Sequence, residues 1–157
     1  MSGAKGIIFA AVIIWIAAVL EQSISPKMSI FGAQPDFLLI VLACLCMFAS
    51  RIGGAMLGFF TGLAAGSITG ANLSQFIFSR TITGFADAWS RTMGLDSNIV
   101  TAAINAAVVT IASQLILMFF APPAGIAMFV GATIGSAMVN GVLAMPVHAL
   151  LRRILAP

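Results

Sequence analysis

Gly54-Ala55-Met56-Leu57-Gly58-Phe59-Phe60-Thr61-Gly62-Leu63-Ala64-Ala65-Gly66-Ser67-Ile68-Thr69-Gly70 sets five glycines at intervals of four residues. In water each would weaken a helix by about 1 kcal/mol relative to alanine. In a bilayer the cost is offset. Lipid tails are as apolar as leucine, so helices associate there through close van der Waals packing, and a row without side chains lets another backbone approach. Steps of four follow the slanted ridge of a helix and favour a crossing of roughly −40° against a partner with small residues of its own. At 1.5 Å per residue the row covers about 24 Å, most of a ~30 Å hydrocarbon core. The ladder Gly54, Gly58, Gly62, Gly66 and Gly70 is therefore a contact surface, either for a helix of the same chain or for another protein.

The rest of the composition agrees with a bilayer. Hydrophobic residues make up 61% of the chain and charged residues 7%, against a charged fraction near ~25% in soluble domains. A chain of 157 residues with a mean hydropathy of +1.15 has room for about six spans of ~20 residues and nothing larger between them. The expected fold is an all-α integral membrane protein, one membrane domain over 1–157, with spans near 6–23, 36–50, 53–70, 74–91, 97–120 and 125–151. The first is read as a retained span, because Glu21-Gln22-Ser23 follows it where a cleavable leader would have small residues.

Punctuation sets the boundaries. Ser25-Pro26-Lys27 ends the first span, and the linker to Pro35 carries Ile30 and Phe31, which suit a half-buried interfacial segment. Asp36 opens the second span, where an acidic group suits the helix dipole, and the short run from Phe37 to Ala49 implies little tilt or a thinned bilayer. Ser50 to Gly53 makes a tight hairpin into the ladder, Ser74 is a candidate N-cap for the fourth span, and Asp96-Ser97 turns into the fifth. The sixth carries two further small-residue rows, Ala127-Gly131-Gly135 and Ala132-Ser136-Asn140-Ala144, which are natural counterparts for the ladder. Pro146 is expected to kink it and release the carbonyl of Val142.

Lys5, Arg51, Arg91, Arg152 and Arg153 fall on one side of a six-span topology and Lys27 on the other. The bias puts both termini in the cytoplasm. Arg80 is the most costly residue, since a lipid-exposed arginine at mid-depth costs about 2–3 kcal/mol. Its candidate partners are Glu21 and Asp36, or a ligand or partner protein. Asp87 is spaced for an ion pair with Arg91. Asn105 and Asn140 suit interhelical bonds, and His148 near Arg152 suits the interface. Cys44 and Cys46 point to different faces of a helix and, with a single histidine in the chain, make no persuasive metal site. No serine, histidine and carboxylate are grouped for nucleophilic catalysis, no cofactor or phosphate-loop motif is present, and no basic and aromatic pattern suits nucleic acid. An enzyme is not expected.

Three segments, taken in order, carry a resemblance. Gln34-Pro35-Asp36-Phe37-Leu38-Leu39, the ladder one short span later, and Val139-Asn140-Gly141-Val142-Leu143-Ala144-Met145-Pro146 ahead of Arg152-Arg153 resemble the rod shape-determining protein MreD family over essentially the whole chain. The resemblance implies a non-enzymatic scaffold of the bacterial cell-elongation (rod) complex in the cytoplasmic (inner) membrane. It would bind MreC and work with the actin-like MreB and the wall-building glycosyltransferase and transpeptidase in peptidoglycan synthesis. It also implies a fold like the S-components of energy-coupling-factor transporters, which supplies the rival function of small-molecule (vitamin) capture; fold analogy does not decide between them. Many members have an acidic residue in the third span where this chain has Gly66, so any role of that carboxylate is absent here or carried elsewhere.

Overall fold

The computed structural model describes residues 4–29, 33–70, 72–91, 94 and 98–155. They form α1 (Ala4–Ser23), α2 (Phe37–Cys46), α3 (Arg51–Thr69), α4 (Leu73–Ser90), α5 (Ile99–Phe120) and α6 (Ile126–Leu155), with a short 3-10 turn, Ser25–Met28, after α1. The expectations for Ile30 and Phe31 and for the Asp96-Ser97 turn lie outside the described residues. Four helices, α1, α3, α5 and α6, are long and apolar enough to cross a bilayer. Their outward faces carry large apolar side chains such as Trp15, Phe119 and Met128, exposed at 68%, 82% and 82%, a surface that water does not tolerate over so wide an area. The chain is a multi-pass membrane protein.

Helix α2 is the centre. Leu38 through Cys46 are all buried, and α2 packs against each of the other five helices. A helix that is apolar all round belongs inside, and its ten residues cover only about 15 Å, half a hydrocarbon core. The short segment expected over 36–50 is thus a ten-residue helix enclosed by its neighbours. Asp36 caps it, its carboxylate accepting from the Leu39 amide at 2.8 Å.

The ladder packs on α4, not on α6 as its small-residue rows suggest. A Cβ added at Gly62 would lie 2.7 Å from the Ile77 Cα and the Phe76 carbonyl oxygen, and one at Gly66 2.8 Å from the Leu73 Cα. At Gly58 it would meet the backbone of Arg80 and Thr81, and at Gly54 that of Gly84. Glycine is required at these four positions because α4's backbone occupies the space of the side chain. Gly70 differs: it ends α3 in the left-handed region at φ 69° with open space beside it, donating to the Gly66 carbonyl at 3.0 Å, so it is a cap and not a rung. In α6, Gly135 faces Ala33, whereas Gly131 has nothing within 4 Å.

Helix α4 is inside out relative to a soluble helix. Ser79, Arg80, Thr83, Gly84 and Asp87 are buried, while Phe78, Ile82, Phe85 and Trp89, at helical spacing, are exposed. The Ser79 hydroxyl lies 3.0 Å from that of Ser113, which fastens α4 to α5. The N-cap of α4 is Asn72, in the left-handed region and without a side-chain cap bond, rather than Ser74, whose hydroxyl turns to Gln75. Ser50 and Asn98 do cap α3 and α5 through their side chains. Pro146 lies within α6, whose helical run continues to Leu155.

Candidate functional site

The close approach of α3 and α4 at Gly58 brings Arg80 beside the carbonyl of Thr61, to which its Nη1 donates at 3.5 Å. From there the guanidinium reaches the N-terminus of α2, and its Nη2 lies 2.5 Å from Asp36 Oδ2. Both side chains are sheltered, at 4% and 16% exposure, and this is the one ion pair among the described residues. The Phe76 ring lies under the guanidinium at 5.8 Å. Of the two candidate partners, Asp36 holds Arg80. Glu21 serves the same helix end differently, accepting from the Phe37 amide at 2.6 Å. Two carboxylates thus meet the positive end of the α2 dipole and one arginine.

Asn140 completes the network. Its Oδ1 accepts from the Asp36 amide at 2.9 Å, and its Nδ2 donates to Thr110 at 2.9 Å, whose hydroxyl donates to the Ala106 carbonyl at 2.7 Å. Four separate helices, α2, α4, α5 and α6, are tied by this chain of bonds, with α1 joined through Glu21. Beside it opens a polar cavity of about 290 Å³ lined by Glu21, Gln34, Asp36, Thr69, Phe76, Arg80, Gln114 and Ser136. Its polar groups come from the 34–36 linker and from five helices, so no single stretch of sequence announces it.

A second polar cluster lies deeper on α4. Asp87 Oδ2 accepts from Asn105 Nδ2 at 3.2 Å, and the same amide reaches the Ala43 carbonyl at 3.4 Å. Asp87 is therefore bonded across helices instead of forming the expected ion pair with Arg91, because α5 offers a donor in the protein interior. His148 is enclosed by protein: it is fully buried and stacked on Phe48, ring centroids 5.6 Å apart. The thiols of Cys44 and Cys46 are free and buried, donating to the carbonyls of Ala144 at 3.8 Å and Gly84 at 3.6 Å. No group of three or more metal-ligating side chains occurs among the described residues.

Gly84 and Gly141 escaped the sequence reading. A Cβ at Gly84 would collide with the Gly54 carbonyl, and one at Gly141 would lie 3.0 Å from that of Ala103. The spacing Arg80-Gly84-Ala88, four apart and facing the ladder, is the signal that finds the first. These features define an all-α, multi-pass membrane protein with a buried ion pair at its centre. Comparison with protein-family models, curated proteins and solved structures gives no match.

Proposed function

We propose that this protein is a non-catalytic membrane scaffold of the bacterial cell-elongation machinery, as the resemblance to the MreD family implies, and that it binds an MreC-like partner in the inner membrane. One observation carries the choice of surface. Every other described glycine inside α3, α4 and α6 has an atom within 4 Å of where a Cβ would be, whereas Gly131 on the outward side of α6 faces open space. Ala127 is exposed one turn before it and Met128, Ile134 and Met138 flank it, so a small-residue hollow with apolar edges remains for a single-span helix. The ladder is not that surface, since α4 fills it. Depletion is expected to turn rod-shaped cells round, with the parent chain restoring shape and Gly131→Leu failing to do so at equal abundance. Cells that keep their shape on depletion would refute the proposal.

Six crossings with both termini cytoplasmic are part of this proposal, the second made by α2 together with the residues that flank it. α4 runs against α3 along the whole ladder, from Gly54 opposite Gly84 to Gly66 opposite Leu73, so a bilayer crossed by one is crossed by both. Arg51 at the start of α3 lies over Trp89 at the end of α4, 5.3 Å from its ring, which keeps two of the counted basic positions, Arg51 and Arg91, at one end. A membrane-impermeant thiol reagent on intact cells is expected to reach a cysteine at position 29 and to miss those at 2, 52 and 156. Labelling at 2 or 156 would overturn the topology.

The cavity of about 290 Å³ beside Arg80 favours a second reading, small-molecule capture as in an S-component. Against it, the principal charges of the cavity are already bonded within the chain: Arg80 to Asp36 and Glu21 to the Phe37 amide. Uptake of a vitamin by the purified chain joined to an ATP-driven transport module would establish that reading instead.

A further inference from the structure

Asp36 takes Arg80 as its counter-ion, which leaves Glu21 on the wall of the polar cavity without one. The Phe37 amide bonds the Glu21 carboxylate but is neutral, and the end of α2 supplies about half a positive charge. The cavity therefore sets two carboxylates against one arginine. An ionisable group among membrane helices that lacks a charged partner points to a ligand or to a proton.

The rest of the lining separates the two. Gln34 faces the cavity from the linker, Gln114 from α5 and Ser136 from α6, and these three side chains hydrogen-bond to no other described residue. A proton on Glu21 would use none of them. A divalent metal is served no better, since it favours several carboxylate oxygens and no group of three or more metal-ligating side chains occurs among the described residues. An ammonium group carries three N–H donors and no acceptor, so one carboxylate and two neutral oxygens complete it. Glu21, Gln114 and either Ser136 or Gln34 offer that set, and Ala65 and Ile68 add apolar wall beside it. We propose that the cavity binds a small organic cation, a primary ammonium group on a short apolar stem, with Glu21 as its counter-ion. This site does not depend on the α6 hollow, and it requires binding alone, without uptake.

Saturation-transfer NMR on the purified full chain in a non-ionic detergent tests this with butylammonium, 1-butanol and butyrate, which share an apolar stem and differ in head group. Butylammonium should bind saturably, and the other two at least about tenfold more weakly, as losing a charge-assisted hydrogen bond would cause. Glu21→Gln keeps an oxygen for the Phe37 amide and should lower the affinity for butylammonium by at least about tenfold. Gln114→Leu removes an amide that bonds nothing else in the described chain, so it should fold as the parent does and bind about fivefold more weakly. Equal affinity for the three compounds, unchanged affinity in either variant, or no saturable binding to the folded parent would overturn the proposal. So would an infrared C=O band of a protonated carboxyl that vanishes in Glu21→Gln and is untouched by butylammonium, since a proton would then take the place of the cation. Cell shape on depletion is read separately, so the scaffold function does not fall with this site.

Discussion

Gly58→Leu is expected to prevent stable accumulation of the protein, with a loss of about 3 kcal/mol or more in a folding measurement in detergent. Overpacking commonly costs about 1–3 kcal/mol where side chains give way, but here the obstacle is backbone: the added atoms would meet the main chain of Arg80 and Thr81. Either α3 and α4 separate, losing the contacts of Gly54, Gly62 and Gly66 together, or the substituted turn unwinds. The same move displaces Arg80 from Asp36. Intrinsic propensity works the other way, since replacing glycine by leucine favours a helix by up to about 1 kcal/mol, so the sign of the effect separates packing from propensity. Gly131→Leu supplies the contrast, because open space surrounds that position; it should fold as well as the parent. Equal stability of the two variants would show that the ladder is not a backbone contact.

Breaking the central ion pair is expected to have the second large effect. Asp36→Asn retains an oxygen to cap the Leu39 amide but leaves the guanidinium of Arg80 buried at 4% exposure without its counter-charge. Removing one member of a buried pair costs about 3–5 kcal/mol, whereas replacing both with uncharged groups is milder. Arg80→Met combined with Asp36→Asn should therefore cost less than the two single changes added, by about 2 kcal/mol. Glu21→Gln, whose parent carboxylate bonds the Phe37 amide, should couple to Arg80→Met by less than half as much. Chemical denaturation of the four members of each cycle measures this. Additivity for Asp36 would mean that the pair contributes nothing beyond its separate parts.

The legible part of this fold is the part written in local spacing. Four-residue steps announced the ladder, and the break from Ser50 to Gly53 announced the hairpin that leads into α3. The ladder's partner was hidden because its small-residue counterparts, Gly84 and Ala88, lie in the most polar segment of the chain, where polarity draws attention away from packing. The polar face of α4 is sheltered by α3 and α5. Within the chain, the candidate partners of Arg80 could be narrowed to two carboxylates, with a ligand or partner protein left open. Choosing between them required the three-dimensional position of the α2 N-terminus, which places Asp36 toward α4 and Glu21 under the Phe37 amide. Likewise, nothing local shows that α2 is enclosed by five other helices or that His148 is stacked on Phe48. The cavity was missed because the 34–36 segment that lines it is completed by residues far apart in sequence, from Glu21 to Ser136.

Affinity purification of the full chain from native membranes, parent beside Gly131→Leu, tests the scaffold proposal most directly. The proposal expects an MreC-like single-span protein to be retained by the parent and lost with Gly131→Leu, while both chains are recovered in equal yield. Retention of that partner by both would remove the α6 hollow from the account. Its absence from the parent, with an ATP-driven transport module and a small molecule recovered instead, would contradict the scaffold function itself.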